Sequence, residues 1–412
     1  MNDSFITNIF VENSRNIKDL DIPLSKDKRQ HLILTGKNGS GKTSLLLEIK
    51  KHLDQFDRSN FRHYELQKNY KRSLEQQLLQ PNLPDRIQLM RNLKDVNDWF
   101  LGFGGTKISF SKPTDVLNDH YTNGELLLAY FDSKRHTNLN IPRGINKIEL
   151  KKKYNLEERA NSNFIQYIVN LKADRSFAKD DNEESVVKKI DDWFSRFENS
   201  LKFIFNVDYL ELKFDRQSYN FNIHINKQEP FDFSTLSDGY SAIISIVTEL
   251  LLRMEAHDVK SYDLQGIVII DEIETHLHVD LQKKILPFLT DFFPNIQFIV
   301  TTHSPFVLSS LSNATICDLE TRIVTEDLSN YSYDALIESY FRTDKYSKEL
   351  TEKIRDFEKL VLATELSMEE EDYLRDLRNY FAHSPKYLSD ELMVKLQEIE
   401  LKELTTHKKK SE

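Results

Sequence analysis

Short apolar runs alternate along this chain with longer apolar stripes at helical spacing, and a sequence that switches between the two periods builds an α/β core. Three strands are predicted near the start, over 6–11, 17–24 and 31–35, the last a short apolar run that ends at Gly36. Leu45, Leu46, Leu47 and Ile49 then begin a helix just after Lys42-Thr43. Much later, Leu236 opens a turn into an apolar helix over 241–254. Residues 267–270 follow Gly266 and form the best buried-strand candidate in the chain. A helix over 279–292, a strand over 296–300 and a short helix over 305–311 complete that pattern.

Between these parts the signal is mixed. A helix is expected over 52–80, where Leu53, Phe56, Tyr64, Tyr70, Leu74 and Leu78 recur among polar residues until Pro81 and Pro84 interrupt it. Gly102, Gly104 and Gly105 mark 97–110 as a loop with a strand near 107–110. Residues 125–131 read equally as helix or strand. Helix is expected through 164–205 with a polar break at 179–184, followed by two hairpin strands over 209–214 and 219–226. From 334 onward, Leu336, Ile337 and Tyr340, then Leu350, Ile354, Phe357 and Leu360, then Leu374, Leu377 and Phe381 mark packing helices. No tandem repeat or sustained heptad run is present.

The 412 residues are enough for one large domain with insertions, and 30% charged residues is ordinary for a globular protein. A net charge of −10 argues against a nucleic-acid-coating surface, while a local groove for DNA or RNA stays open. No apolar run approaches the length of a membrane span, and the polar Asn-Ser-Arg-Asn segment near the start does not read as a secretion signal. One cysteine, Cys317, cannot form an internal disulfide and fits the cytoplasm as a buried small apolar residue.

The sharpest chemical signal is Gly36-Lys37-Asn38-Gly39-Ser40-Gly41-Lys42-Thr43, a complete G-x-x-x-x-G-K-[ST] pattern placed after a strand and before a helix. Glycines let successive N–H groups turn toward phosphate oxygens, and the helix adds its positive end. Gly36, Asn38, Gly39, Ser40, Gly41, Lys42, Thr43 and Ser44 are therefore the predicted ATP contacts, with Lys42 reaching the β and γ phosphates and the Thr43 hydroxyl on Mg2+. The run Ile267-Val-Ile-Ile-Asp271-Glu272 ends a buried strand in two acids at the sheet edge where α/β proteins bind ligands. Asp271 can hold the magnesium through water, and Glu272 can orient or deprotonate the attacking water.

With these pieces in order, Leu236-Ser237-Asp238-Gly239 resembles an ABC signature, Glu272-Ile-Glu274-Thr-His276-Leu-His278 the segment after Walker B in SMC-like ATPases, and Thr301-Thr302-His303-Ser304-Pro305 their switch-histidine segment. The whole resembles the compact ABC/SMC-like ATPases called overcoming-lysogenization-defect or Septu-like, many of them anti-phage. The resemblance covers 1–50 and 230–310. It implies an ATPase head with a mixed sheet, an inserted helical region and a helical C-terminal extension. The corresponding divisions are 1–50 and 206–330 for the ATPase halves, 51–205 for a largely helical insertion and 331–412 for the extension.

The resemblance further implies a head-to-tail homodimer or higher homo-oligomer that sandwiches two ATP molecules, with no membrane involved. Ser237 and Gly239 would touch the γ phosphate held by the other subunit, and His303 the one held by its own phosphate loop. Residues 275–280 would link the two sites, and a separate effector, a nuclease or toxin, would carry the damaging activity. A magnesium-binding glutamine loop is also implied, for which Gln166 is a candidate. Arg15 and Asn16 lie where the first hairpin could approach adenine.

Other readings compete. His276 and His278 with Glu272 and Glu274 could hold zinc, although the spacing differs from H-E-x-x-H. Arg378 and His383 form an R-x-x-x-x-H pattern like that of helical ribonucleases. A DNA-repair ATPase or an ATP-timed scaffold that restrains a toxin would use the same core.

Overall fold

The computed structural model describes residues 3–80, 85–135, 139–226, 228–256, 264–332, 335–336, 348–363, 366–382 and 399. Contacts divide the chain into two units, 1–331 and 332–412.

The first unit is organised by a six-stranded sheet. Its strands are β3 (His31–Thr35), β5 (Leu126–Phe131), β9 (Gln265–Ile270), β10 (Ile296–Thr301), β11 (Ala314–Asp318) and β12 (Ile323–Glu326). They lie in the order β12-β11-β3-β10-β9-β5. All neighbours run parallel except β12, which pairs antiparallel with β11. Every residue of β3, β5, β10 and β11 is buried, as expected of strands covered on both faces. Cys317 lies in β11, where burial pushes its thiol up to about 12.

A three-stranded antiparallel sheet, β2-β1-β4, joins β1 (Ile6–Ser14), β2 (Ile17–Pro23) and β4 (Thr106–Phe110). A third sheet joins β6 (Leu210–Asp215), β7 (Asn220–Ile225) and the short β8 (Phe231–Asp232). The two hairpins and the α/β alternation thus follow the hydrophobic pattern.

The segment 51–205 is largely helical, and its first part departs from the pattern in detail. Helix α1 (Lys42–Leu53) ends early, and two short 3-10 turns carry the chain to α2 (Tyr64–Leu78). Phe56 and Phe61 in those turns are buried with ring centroids 4.1 Å apart, which draws the backbone into the core and breaks the predicted single helix. Helix α3 (Arg86–Leu101) takes in residues expected to be loop, because the first glycine comes only at 102. Helix α4 (Thr114–Thr122) then leads to β5, resolving 125–131 as strand. Its sequence Leu-Leu-Leu-Ala-Tyr-Phe has no period because both of its faces are covered. The segment thus gives one strand to each of two sheets.

Helices α5 (Phe164–Asp180) and α6 (Glu184–Phe205) flank the predicted break. Helix α7 (Asp238–Glu255) is apolar on nearly all sides and is buried accordingly. Helix α8 (Val279–Phe292) and the one-turn α9 (Pro305–Leu308) follow, the latter ending three residues earlier than expected.

In the second unit, α10 (Lys348–Val361) and α11 (Met368–Ala382) bury Ile354, Phe357 and Leu360 with Leu377 and Phe381 in a small core of their own. Ile337, Tyr340 and His383 lie outside the described residues, and Arg378 is exposed on α11.

Candidate functional site

Three parallel strands, β3, β9 and β10, end side by side, and each delivers part of one polar cluster. After β3 the backbone passes through left-handed conformations at Gly36, Gly39 and Gly41, with φ of 130°, 84° and 105°. Gly36 is tightly confined: an added Cβ would stand 2.8 Å from Ser40 Oγ and 3.2 Å from an Asp318 carboxylate oxygen. Gly41 precedes the first turn of α1, where a Cβ would meet Ile17 at 3.0 Å and Asn16 at 3.1 Å. The β1–β2 turn with Arg15 and Asn16 thus lies against the phosphate loop. Lys37, Asn38 and Gly39 are exposed, as an open loop requires, and Ser44 is half-buried on α1.

Lys42 curls back over its own loop. Its ammonium donates to the carbonyls of Gly36 at 2.8 Å and Lys37 at 3.1 Å. Burial pulls the Lys42 ammonium below the ordinary lysine value, opposed by the carboxylates of Glu274, Glu272, Asp271 and Asp318. The Thr43 hydroxyl donates to Asp271 Oδ2 at 3.1 Å, joining the first turn of α1 to the end of β9.

Asp271 also accepts from the Thr301 hydroxyl at 2.6 Å. Glu272 has φ of 46°, its N–H donates to Thr301 Oγ1 at 2.7 Å, and its carboxylate accepts from the Thr275 hydroxyl at 3.3 Å. After β10, the N–H of His303 donates to Glu274. Ser304 caps α9 by accepting from the Phe306 N–H, and its hydroxyl donates to Gln282 on α8 at 2.6 Å. Burial, then the Lys42 charge, pull the His303 imidazole below its ordinary value, which Glu272 and Asp271 oppose. Burial raises the Glu274 carboxyl, and one of its oxygens has no partner.

The structure therefore brings Lys42, Thr43, Asp271, Glu272 and His303 together. Ser237 and Gly239 sit elsewhere, at the start of α7. Gly239 packs so closely on the loop after β9 that a Cβ would lie 2.6 Å from the His276 carbonyl oxygen. The Ser237 side chain is exposed, and no hydrogen bond among the described residues joins it to the phosphate loop.

Gln166 is not at this site. Its amide donates to the Gly144 carbonyl and to Asn170, and it accepts from Asn146, so a helical residue has been used to fasten residues 144–146 to α5.

Arg135 had no expected role at the site, and Glu274 was named only within the segment after Walker B and as a zinc candidate. Arg135 follows β5 and reaches the backbone of the β9 turn; an Asp-Ser-Lys-Arg stretch reads as an ordinary polar loop, and its one signal is a position just past a buried strand. Glu274 joins the β9 and β10 loops, which no local pattern encodes.

The donor set suits a magnesium–triphosphate. Thr43 and Asp271 offer hard oxygens, Lys42 and the loop amides offer donors, and the buried Ser40 hydroxyl is without a partner. Among the described residues, no group of three His, Cys, Asp or Glu is arranged to hold a metal. Magnesium, which keeps several waters and substrate oxygens, needs no such cage.

A glycine-built phosphate loop, a buried strand ending in two acids and a parallel sheet define a P-loop nucleotide-binding protein. The chain belongs to the family described as AAA domain, putative AbiEii toxin, Type IV TA system, which matches residues 32–309. It is 42% identical to the Septu protein PtuA of Bacillus mycoides (strain KBAB4) over 84 residues, 20% of this chain and 12% of that protein. Over 129 residues it is 36% identical to the Retron Ec83 probable ATPase of Escherichia coli, covering 28% of this chain and 24% of that protein. The matched stretches thus span well under half of these relatives. A solved Smc head bound to the C-winged helix domain of ScpA aligns with 76% of this chain and 93% of its own, at 12% identity and a TM-score of 0.37. No helix among the described residues is long and apolar enough to cross a membrane.

Proposed function

We propose that this chain binds ATP with magnesium, hydrolyses it, and closes head to tail on a second copy of itself, controlling a separate nuclease or toxin in cytoplasmic anti-phage defence. The observation that carries this reading is the meeting of Thr43 and Asp271 at 3.1 Å beside the buried Lys42. Gly36, Asn38, Gly39, Ser40, Gly41 and Ser44 complete the phosphate contacts. Lys42 exchanges its two loop carbonyls for phosphate oxygens, gaining charge-assisted bonds for neutral ones. Thr43 and Asp271 are the residues that would hold magnesium, which when bound screens phosphate charge.

Glu272 orients water and accepts its proton, and His303, held toward its neutral form by burial and Lys42, contacts the terminal phosphate. Ser237 and Gly239 start α7 away from this cluster, with the Ser237 hydroxyl exposed. A second copy brought against the first would place that helix start where one chain leaves the phosphate uncovered. The 275–280 loop, packed on Gly239, would tell one site of the other.

The test is purification of Glu272→Gln with ATP and magnesium, followed by mass measurement and identification of everything retained. Hydrolysis should fall by about 10²- to 10⁴-fold while nucleotide stays bound. A dimer or larger assembly carrying a nuclease or toxin is the expected result. A monomer under these conditions would overturn the shared site, and hydrolysis at the unaltered rate would remove Glu272 from its role.

A further inference from the structure

The guanidinium of Arg135 is buried, with the residue only 4% exposed, and both of its terminal nitrogens donate to main-chain carbonyls. One nitrogen serves Asp132, at 2.9 Å, and Asp271; the other serves Glu272 at 2.8 Å and Ile273 at 3.4 Å. Burial brings this group down to about 10, against the pull of Glu274, Asp271, Asp132 and Glu272, so it remains charged at neutral pH. A buried charge ordinarily finds a carboxylate partner. Here it gathers the carbonyls of three consecutive residues, which converge only where the chain turns sharply.

That turn is the one in which Glu272 is held at φ 46°. Its other face is fastened too: the N–H groups of Glu272 and Ile273 donate to the Thr301 hydroxyl and carbonyl, at 2.7 and 3.1 Å. Arg135 comes from the end of β5 and Thr301 from the end of β10, the two strands that flank β9. The turn is thus gripped on its carbonyl side by one neighbour and on its amide side by the other. The direction in which Glu272 leaves the backbone is set by this grip.

We propose that Arg135 is a positioning residue for Glu272, holding its backbone in the left-handed conformation that aims the carboxylate. The proposal rests on the role given to Glu272 above. A planar fork can serve several carbonyls at fixed angles, whereas the compact ammonium of lysine cannot.

The first test is a crystal structure of the nucleotide-free Arg135→Lys protein, which does not depend on activity. Glu272 is expected to leave the left-handed region; an unchanged Glu272 backbone would overturn the proposal. In solution, Arg135→Lys should lower kcat about 10- to 100-fold. Nucleotide affinity should stay within about three-fold, the split expected when only the reacting geometry is disturbed. In a Glu272→Gln background the same change should cause no further loss, because the group it aims is already disabled. A multiplicative loss in the double variant, or affinity falling together with kcat, would assign Arg135 to general folding instead.

Should Arg135→Lys be insoluble, Arg135→Gln takes its place, and insolubility of both would also overturn the proposal. An unaltered protein that hydrolyses no ATP would sink the ATPase reading and leave the crystallographic test standing. Hydrolysis that depends on Glu272 but not on Arg135 would sink this proposal alone.

Discussion

The turn after β3 and the turn after β9 both send the chain through left-handed backbone at one sheet edge, and they do so by opposite means. The first uses Gly36, Gly39 and Gly41, for which positive φ costs little. The second uses Glu272 and His276, at φ of 46° and 66°, where a side chain raises the cost by about 1–2 kcal/mol per residue. A turn that presents mainly backbone N–H groups can be made of glycine. One that must deliver a carboxylate from its own apex cannot, and its conformation is stabilised from outside by Arg135 and Thr301.

The largest expected effect tests the glycine turn. Lys42→Ala should weaken ATP binding about 10- to 100-fold by calorimetric titration, since one charge-assisted donor is lost. Retained affinity would mean that backbone groups suffice. Thr301→Val loosens the amide side of the second turn: the Glu272 N–H loses its acceptor, while the Ile273 N–H keeps the main-chain carbonyl. A loss of about 1–3 kcal/mol in urea denaturation is expected, and an unmoved midpoint would show that the Thr301 hydroxyl does not hold the turn.

Gly41→Ala places a methyl at φ 105° against Ile17 and Asn16, and should cost about 1–2 kcal/mol. Full stability and affinity there would erase the contrast from the glycine side. The smallest effect is the most pointed: Glu272→Gly should be more stable than Glu272→Ala by about 0.5–1 kcal/mol, with both inactive. Thermal denaturation reads the difference, and the reverse order would show that the second turn is not strained.

The parts most legible in the sequence are those whose physics is local. The phosphate loop, β9 with its two acids, α8 and the β6–β7 hairpin all emerge where their periods or glycines place them. What tertiary packing decides is less legible. Phe56 and Phe61 break a helix by sinking into the core, and β5 lacks alternation because it is covered on both faces. Gln166 had the right residue type but spends its amide on Gly144, Asn146 and Asn170. Arg135 reaches across 136 positions to the Asp271 carbonyl, a relation no window of sequence contains.

The place of β3 has a consequence for the chain as it is made. This strand is synthesised early, yet it lies between β10 and β11, which come from the far end of the first unit. On the ribosome, therefore, the phosphate loop exists as sequence long before it exists as a socket, waiting on partners distant along the chain. A product cut short before Asp318 has no complete β11 to close against β3. The edge of β3 that faces away from β10 stays open until that last stretch has been added.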